Sequence, residues 1–362
     1  MIEIKTFNQQ QLHAFVEEPG YKNLPHLPIS YHRAISHSLN PRADTEDVLL
    51  LIAYFDQEIV GYLGVLPDHI YLNNNLEKCG WLSCMWVDPE KRGQRIAQQL
   101  LQKCYDLWEN KILVTEFTAS AYSLYNKSGI FRNLQIKRGL RMYSRSDLQQ
   151  WLPPKHFFLQ KINPLLQFTD KLINLVADIR FPRHLPAPKG LHYLDHLDDK
   201  VQDFILPFQD DQYFKRGITE LNWIIQNPWI ISGEETDISR RYYFSSIAKE
   251  FMFRATVLYK NDNIIAFLLF AKRENHLKIP YCYYREEHTE SVVKTIVYHI
   301  NIWKINTCTL FHTELVNYFS KHQSPALYQK KVKRHYIISK IFQPIPEALT
   351  VLQDGDGDCS FT

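Results

Sequence analysis

A chain of 362 residues exceeds one ordinary domain and points to two. A hydrophobic fraction of 45%, including 21 Phe, 21 Tyr and 7 Trp, is ample for sizeable cores, and 22% charged residues with 12 Gly and 18 Pro exclude a disordered or collagen-like chain. The formal net charge of +3 gives no argument for nucleic acid as a main partner.

The first seven residues have no basic stretch followed by an apolar run, so no signal peptide is expected. The apolar runs 48–55 and 264–271 are far shorter than a membrane span. Six cysteines, at 79, 84, 104, 282, 308 and 359, form no Cys-x-x-Cys pair and no zinc spacing. Reduced thiols in the cytoplasm are the expectation, with no metal site.

Residues 1–150 read as a mixed α/β unit. A strand at 2–7 and a helix at 9–18 precede a polar, proline-containing loop over 19–46; strands follow at 48–55, 58–66 and 76–87, the first two joined by the tight turn Asp56-Gln57. After Asp88-Pro89 the period becomes helical, with Ile96, Leu100, Leu101, Cys104, Leu107 and Trp108 on one face. A strand at 112–117, a short helix at 119–127 and a strand at 136–143 complete the unit. Residues 151–190 read as a connector: Pro153-Pro154, a helix at 165–179 whose apolar stripe is expected to pack between domains, then Pro182, Pro186 and Pro188. Residues 191–362 repeat the first pattern: a hairpin of 251–259 with 263–272, a strand at 277–284, a helix at 289–303, a strand at 306–311, a helix at 312–319 and a strand at 336–341. The order strand, strand, strand, helix, strand, helix, strand thus occurs twice, with little residue identity between the copies.

The strongest local signal is Val87-Asp88-Pro89-Glu90-Lys91-Arg92-Gly93-Gln94-Arg95-Ile96-Ala97. A strand ends, a short turn follows, and a helix opens on small and basic residues. Free N–H groups at a helix start, together with its dipole, suit a phosphate anion. Gly93 and Ala97 let the backbone approach such a ligand closely, and Arg92 and Arg95 add positive charge.

This stretch resembles the GNAT (GCN5-related N-acetyltransferase) superfamily, whose signature Arg/Gln-x-x-Gly-x-Gly/Ala is read here as Arg92-Gly93-Gln94-Arg95-Ile96-Ala97. A second element of that family matches Ala121, Leu124, Tyr125, Lys127 and Gly129-Ile130, at the spacing the family has. The resemblance covers roughly residues 1–145. It implies an α/β fold with a mixed sheet, and two GNAT-like domains of which the second is degenerate. It also implies that Arg92 to Ala97 hold the pyrophosphate of acetyl-CoA or another acyl-CoA, that the backbone of Met85, Trp86 and Val87 lines the pantetheine and the carbonyl, and that Tyr125 protonates the leaving thiolate. In two places the sequence departs from the pattern. Arg95 stands where the family has glycine, a position expected to be helical and so free of φ strain, and Thr118 and Ile130 replace an asparagine and a phenylalanine.

Acyl transfer to an amine needs a base, donors for the oxyanion and an acid for the thiolate. The strand glutamate that many relatives use is missing from Trp81 to Val87, which leaves Glu116 as the nearest acidic candidate. Cys84 has no histidine partner legible in the sequence and reads as structural. In the second half, Tyr284-Arg285-Glu286-Glu287-His288-Thr289-Glu290 places three glutamates and no glycine where a pyrophosphate belongs, so no coenzyme site is expected there. The run Lys330, Lys331, Lys333, Arg334, His335 reads as a solvated strand start, and the aromatic segments 223–229 and 281–284 as core. Asp354-Gly355-Asp356-Gly357-Asp358 resembles the opening of a calcium loop but lacks the glycine and glutamate that follow in an EF-hand; a tail folding back toward the acceptor is the other reading. The expected function is acyl-CoA-dependent transfer to the amine of a small molecule or amino sugar, in a protein that is compatible with oligomerisation. The alternatives are a non-catalytic module binding coenzyme A or a partner, and an aminoacyl or peptidyl transferase using transfer RNA.

Overall fold

The computed structural model describes residues 2–72, 75–152, 161–180, 185–322, 324–342 and 351–361. Along the chain the elements are β1 (Glu3–Phe7), α1 (Gln9–Glu17), α2 (Tyr31–Ser38), β2 (Leu50–Phe55), β3 (Glu58–Leu72), β4 (Asn75–Val87), α3 (Ile96–Leu107), β5 (Ile112–Thr115), α4 (Ala119–Ser128) and β6 (Phe131–Tyr143). Next come α5 (Leu148–Trp151), α6 (Asn163–Arg180), β7 (Leu191–Leu194), α7 (Asp199–Ile205), α8 (Ile218–Gln226), β8 (Ile231–Ser232), α9 (Asp237–Arg240) and β9 (Ile247–Ala248). The duplicated pattern then returns as β10 (Phe251–Lys260), β11 (Asn263–Arg273), β12 (His276–Tyr284), α10 (Thr289–Ile302), β13 (Thr307–Leu310), α11 (Thr313–Lys321) and β14 (Tyr328–Ser339).

Two compact units result. The first comprises 1–137, 196–252 and 334–362; the second comprises 138–195 and 253–333. These units cut across the 1–150, 151–190 and 191–362 division read from sequence. In the first unit β1 to β4 pair antiparallel in sequence order, β4 pairs parallel with β5, and β14 lies antiparallel beside β5, with Tyr336 opposite Thr115. In the second unit β12 pairs parallel with β13, and β13 takes as its antiparallel neighbour the end of β6, with Met142 opposite Cys308. Each parallel strand is therefore flanked by the last strand of the other copy. This exchange moves the C-terminal segment into the first unit, and no local pattern encodes it.

The first unit has apolar clusters on both faces of its sheet. Val60, Val65, Leu82, Ile96, Leu100, Cys104 and Tyr125 lie in one. Leu12, Tyr21, Leu27, Leu50, Ile52, Tyr62 and Trp86 lie in the other, beneath α1 and α2. Helix α2 falls inside the stretch expected to be a loop. Its buried face is Arg33, Ala34, Ser36 and His37, so no apolar stripe announces it. The aromatic segments are core as expected, with Trp223, Trp229, Tyr281 and Tyr283 buried. Helix α6 departs from its expected packing. Leu165, Phe168, Leu172 and Ile179 are exposed, and the helix is anchored through buried Asp170, whose carboxylate accepts from Ser146 Oγ (2.6 Å) and the N–H of Leu148 (2.8 Å). Pro153-Pro154 and Pro182 lie outside the described residues. No helix among the described residues is long and apolar enough to cross a membrane.

Candidate active site

The predicted phosphate turn follows β4 directly. Asp88 caps a short 3-10 turn by accepting from the N–H of Glu90 (3.0 Å). Gly93 has φ +88° with open space around it, a backbone that only glycine adopts without cost. Helix α3 then starts at Ile96, whose side chain is buried in the core, while Arg92, Gly93, Gln94 and Arg95 are exposed and Ala97 half-exposed. Arg95 is not helical as expected: it precedes α3 in the left-handed region at φ +60°. The glycine of the signature would sit there without strain, and the arginine does not. Arg95→Gly is accordingly expected to stabilise the fold by about 1 kcal/mol in urea denaturation, and Arg95→Ala to give no such gain.

At the other end of the predicted site, β4 carries a bulge. Tyr62 pairs with Trp86 and Gly64 with Ser83, so β4 has one extra residue there. Cys84, in the bulge, has φ +54°. Pairing between β4 and β5 covers Gly80–Leu82 against Ile112–Val114, and beyond Leu82 no further β4–β5 pair forms among the described residues. Glu116, just past the end of β5, is also left-handed, at φ +49°. Two non-glycine residues thus hold strained backbones where the strands part, a pattern that clusters at functional sites. Met85 and Val87 pack on the α3 side of the sheet, while Trp86 stacks on Tyr62 on the opposite face (5.2 Å between centroids).

The buried residues of α2 meet this bulge. Arg33 Nη2 donates to Ser83 Oγ (2.6 Å), and Nη1 donates to Tyr242 Oη (2.6 Å) and to Cys84 Sγ. Its Nε donates to His37 Nε2 (3.2 Å), an imidazole that burial and the facing guanidinium hold neutral. The guanidinium also lies over the Trp229 ring, 4.0 Å from its centroid. Arg33 is 3% exposed and remains charged, so a fixed cation sits against the bulge.

The C-terminal tail folds back into the first unit, one of the two readings its sequence left open, although its aspartates were not among the predicted site residues. From Leu352 to Phe361 every residue is buried. Phe361 stacks on Trp229 (4.3 Å, 9° between planes), and a Cβ at Gly357, which has φ +76°, would lie 3.0 Å from Trp81 and 3.2 Å from Thr115. The tail therefore lies against β4 and β5 close to where they separate. Asp356 accepts from the N–H of Gln353 (2.8 Å) and lies 3.9 Å from Arg216, which is itself bidentate on buried Asp68. Asp358 faces Glu116, Arg33, Arg334 and Tyr125, and its Oδ1 is buried with no hydrogen-bond partner. Burial, reinforced by the Glu116 charge, pushes its carboxyl up to about 7. The acidic repeat was legible, but its burial depends on the exchanged strand β14, which delivers the tail.

Of the two predicted catalytic residues, Tyr125 lies on α4, 4% exposed, against Phe117 and Phe131, and burial pushes its phenol up. Glu116 is tied to Arg334, with Oε1 2.6 Å from Nη2. Arg334 thus turns inward out of the basic run, while Lys330, Lys331 and Lys333 are exposed. Tyr125, Glu116, Asp358, Cys84 and Arg33 form one cluster. In the second unit, Glu286 and Glu287 form the turn before α10 and Glu290 lies in its first turn, so negative charge occupies that helix start.

The sequence profile of an acetyltransferase (GNAT) domain matches residues 46–129, a span containing the bulge, the phosphate turn, Glu116 and Tyr125. The chain carries a GNAT domain. No curated protein matches the sequence. Among solved structures, a probable N-acyltransferase of Enterococcus faecalis superposes with a TM-score of 0.53 at 9% identity, over 94% of this chain and 72% of that one. A GCN5-related N-acetyltransferase of Anabaena variabilis gives 0.51 at 11%, over 93% and 72%. N-myristoyltransferase of Saccharomyces cerevisiae, with bound myristoyl-CoA, gives 0.54 at 11%, over 99% and 83%. At these identities the likeness is one of fold, and it extends over nearly the whole GNAT-containing chain.

Proposed function

We propose that this protein transfers an acyl group from acyl-CoA to the amine of a small molecule, amino sugars included, at the cluster where β4 and β5 part. The observation that carries this reading is the joint occurrence, within the compact unit that contains the GNAT match, of a basic glycine turn at the start of α3 and a buried acid–base cluster at the strand ends. Arg92 to Ala97 hold the pyrophosphate, and the backbone of Met85, Trp86 and Val87 lines the pantetheine. Acetyl-CoA is the donor we favour, used in the cytoplasm by the first GNAT-like domain, with the second domain a degenerate copy.

In this mechanism Asp358 accepts a proton from the acceptor ammonium. The freed amine attacks the thioester carbonyl carbon, the C–N bond forms and the C–S bond breaks. Tyr125 gives its phenolic proton to the departing thiolate, and the second proton that the nitrogen sheds as the amide forms restores the phenol. Arg33 supplies fixed positive charge beside the bulge for the developing oxyanion. Glu116, held by Arg334, acts on Asp358 through its charge, keeping that carboxyl near the pKa most useful to a base at neutral pH.

Titration calorimetry with acetyl-CoA tests the donor site. Micromolar binding is expected for the wild type, and Arg92→Glu, at an exposed turn, is expected to weaken it at least tenfold by setting an anion beside the pyrophosphate. Equal affinity in the two proteins refutes the placement of the donor.

A further inference from the structure

Helix α6, in the second unit, is amphipathic in the reverse sense to an ordinary surface helix. Leu165, Phe168, Leu172, Leu175, Val176 and Ile179 are each more than half exposed. At 3.6 residues per turn they share an arc of about 100°, and they form a ridge about 21 Å long. Leu166 and Asp170, on the opposite side, are buried. The polar side is what holds the helix to its unit. Asp170 accepts from Ser146 Oγ (2.6 Å), Asn174 Oδ1 accepts from the Ser146 N–H (2.7 Å), and Asp178 pairs with Arg145. Bonded at three successive turns, the helix cannot roll its ridge inward without breaking them. A contiguous apolar ridge of this length marks an interaction surface.

The charges select the partner. Among the described residues of 145–180 there are three acids, and all turn into the fold: Asp147 is buried and accepts from Asn306 Nδ2 (2.9 Å), and Asp170 and Asp178 are bonded as above. Lys161 and Lys171 are exposed, Lys171 beside the edge of the ridge. A ridge with lysines and no exposed acid complements an anionic lipid surface. A second copy of the chain fits it poorly. Two-fold pairing along the ridge, parallel or antiparallel about its midpoint at Leu172, brings the two copies of Lys171 together with no acid of the helix to offset them. We infer that α6 docks this protein on an anionic bilayer. The helix lies in the plane of the interface, its ridge among the acyl chains and its lysines at the level of the phosphates. This inference does not depend on the acyltransferase reading.

The test is co-sedimentation of the full chain with vesicles of phosphatidylcholine alone and of equimolar phosphatidylcholine and phosphatidylglycerol. Partition onto the anionic vesicles is expected to be at least tenfold stronger, and to fall with added salt. The double variant Leu172→Gln, Val176→Gln is expected to abolish binding to both. A second pair at the ends of the ridge, Leu165→Gln with Ile179→Gln, is expected to weaken it at least tenfold. All four positions are exposed, so the unfolding temperature should stay at the wild-type value. Lys161→Glu with Lys171→Glu is expected to remove the preference for anionic vesicles and to leave binding to phosphatidylcholine unchanged. Equal binding to the two vesicle types, no binding to either, or apolar variants that bind like wild type overturns the inference. A wild-type dimer in light scattering that Leu172→Gln, Val176→Gln dissolves assigns the ridge to a second copy and overturns it too. None of those results touches the donor site, whose own failure is read from the acetyl-CoA titration.

Discussion

Replacing Asp358 by asparagine is expected to lower kcat/KM for acyl transfer at least a hundredfold at pH 8, the scale of losing a positioned general base. The substitution keeps the volume of the side chain and its place in the buried tail, so the loss measures the proton acceptor and not the packing. The pH profile gives the sharper result. A base whose carboxyl is pushed up to about 7 is protonated and idle below that pH, so wild-type kcat/KM should climb with pH and level off above about 7. In Asp358→Asn that rise should vanish for the same amine. A variant retaining the rise with the same midpoint assigns the base elsewhere, Glu116 being the adjacent carboxylate. Stability should move the opposite way. An unfolded aspartate titrates near 3.9, so the folded protein binds the extra proton between about pH 4 and pH 7. The associated stability is fully present below the unfolded value and is lost as pH rises through about 7. Asp358→Asn should therefore be more stable than wild type at pH 8, by on the order of a few kcal/mol, with the difference closing toward pH 4 in urea titrations.

The turn between β4 and α3 was legible because its signals are local: a strand end, a glycine, basic residues and an amphipathic helix occupy one short stretch. The duplicated order of elements was legible for the same reason. Arg95 shows where such reading fails, since a residue next to a helix start can be read as its first turn although its backbone is left-handed. Helix α2 was hidden by the feature that makes it useful, a buried face of Arg33, Ser36 and His37 in place of leucines. Helix α6 had a clear apolar stripe, but tertiary anchoring ran through Asp170 instead. The tail was left between two readings, a calcium-loop opening and a segment folding back, for a non-local reason: only the pairing of β14 with β5 carries its three aspartates into the core. What was missed at the candidate site consists of polar groups buried by contacts distant in sequence, which no period or motif encodes.

Tyr125→Phe is expected to lower kcat by one to two orders of magnitude while leaving acetyl-CoA affinity within a factor of two. The expectation follows from where the side chain sits. Its ring is core, packed edge-on against Phe117 and Phe131 at 5.8 and 5.3 Å, and phenylalanine keeps those contacts. Only the hydroxyl is lost, a group whose pKa burial raises and the charges of Asp358, Cys104 and Cys84 raise further. Because burial pushes its pKa up, the phenol is protonated across the whole working range, and its removal should scale the pH profile downward without moving its midpoint. That signature separates it from Asp358→Asn, which changes the shape of the profile. A thioester with a more acidic leaving thiol needs less help from an acid, so the variant should recover most of its deficit on such a donor. A structural role for Tyr125 predicts instead an equal deficit on both donors, with a fall in unfolding stability to match.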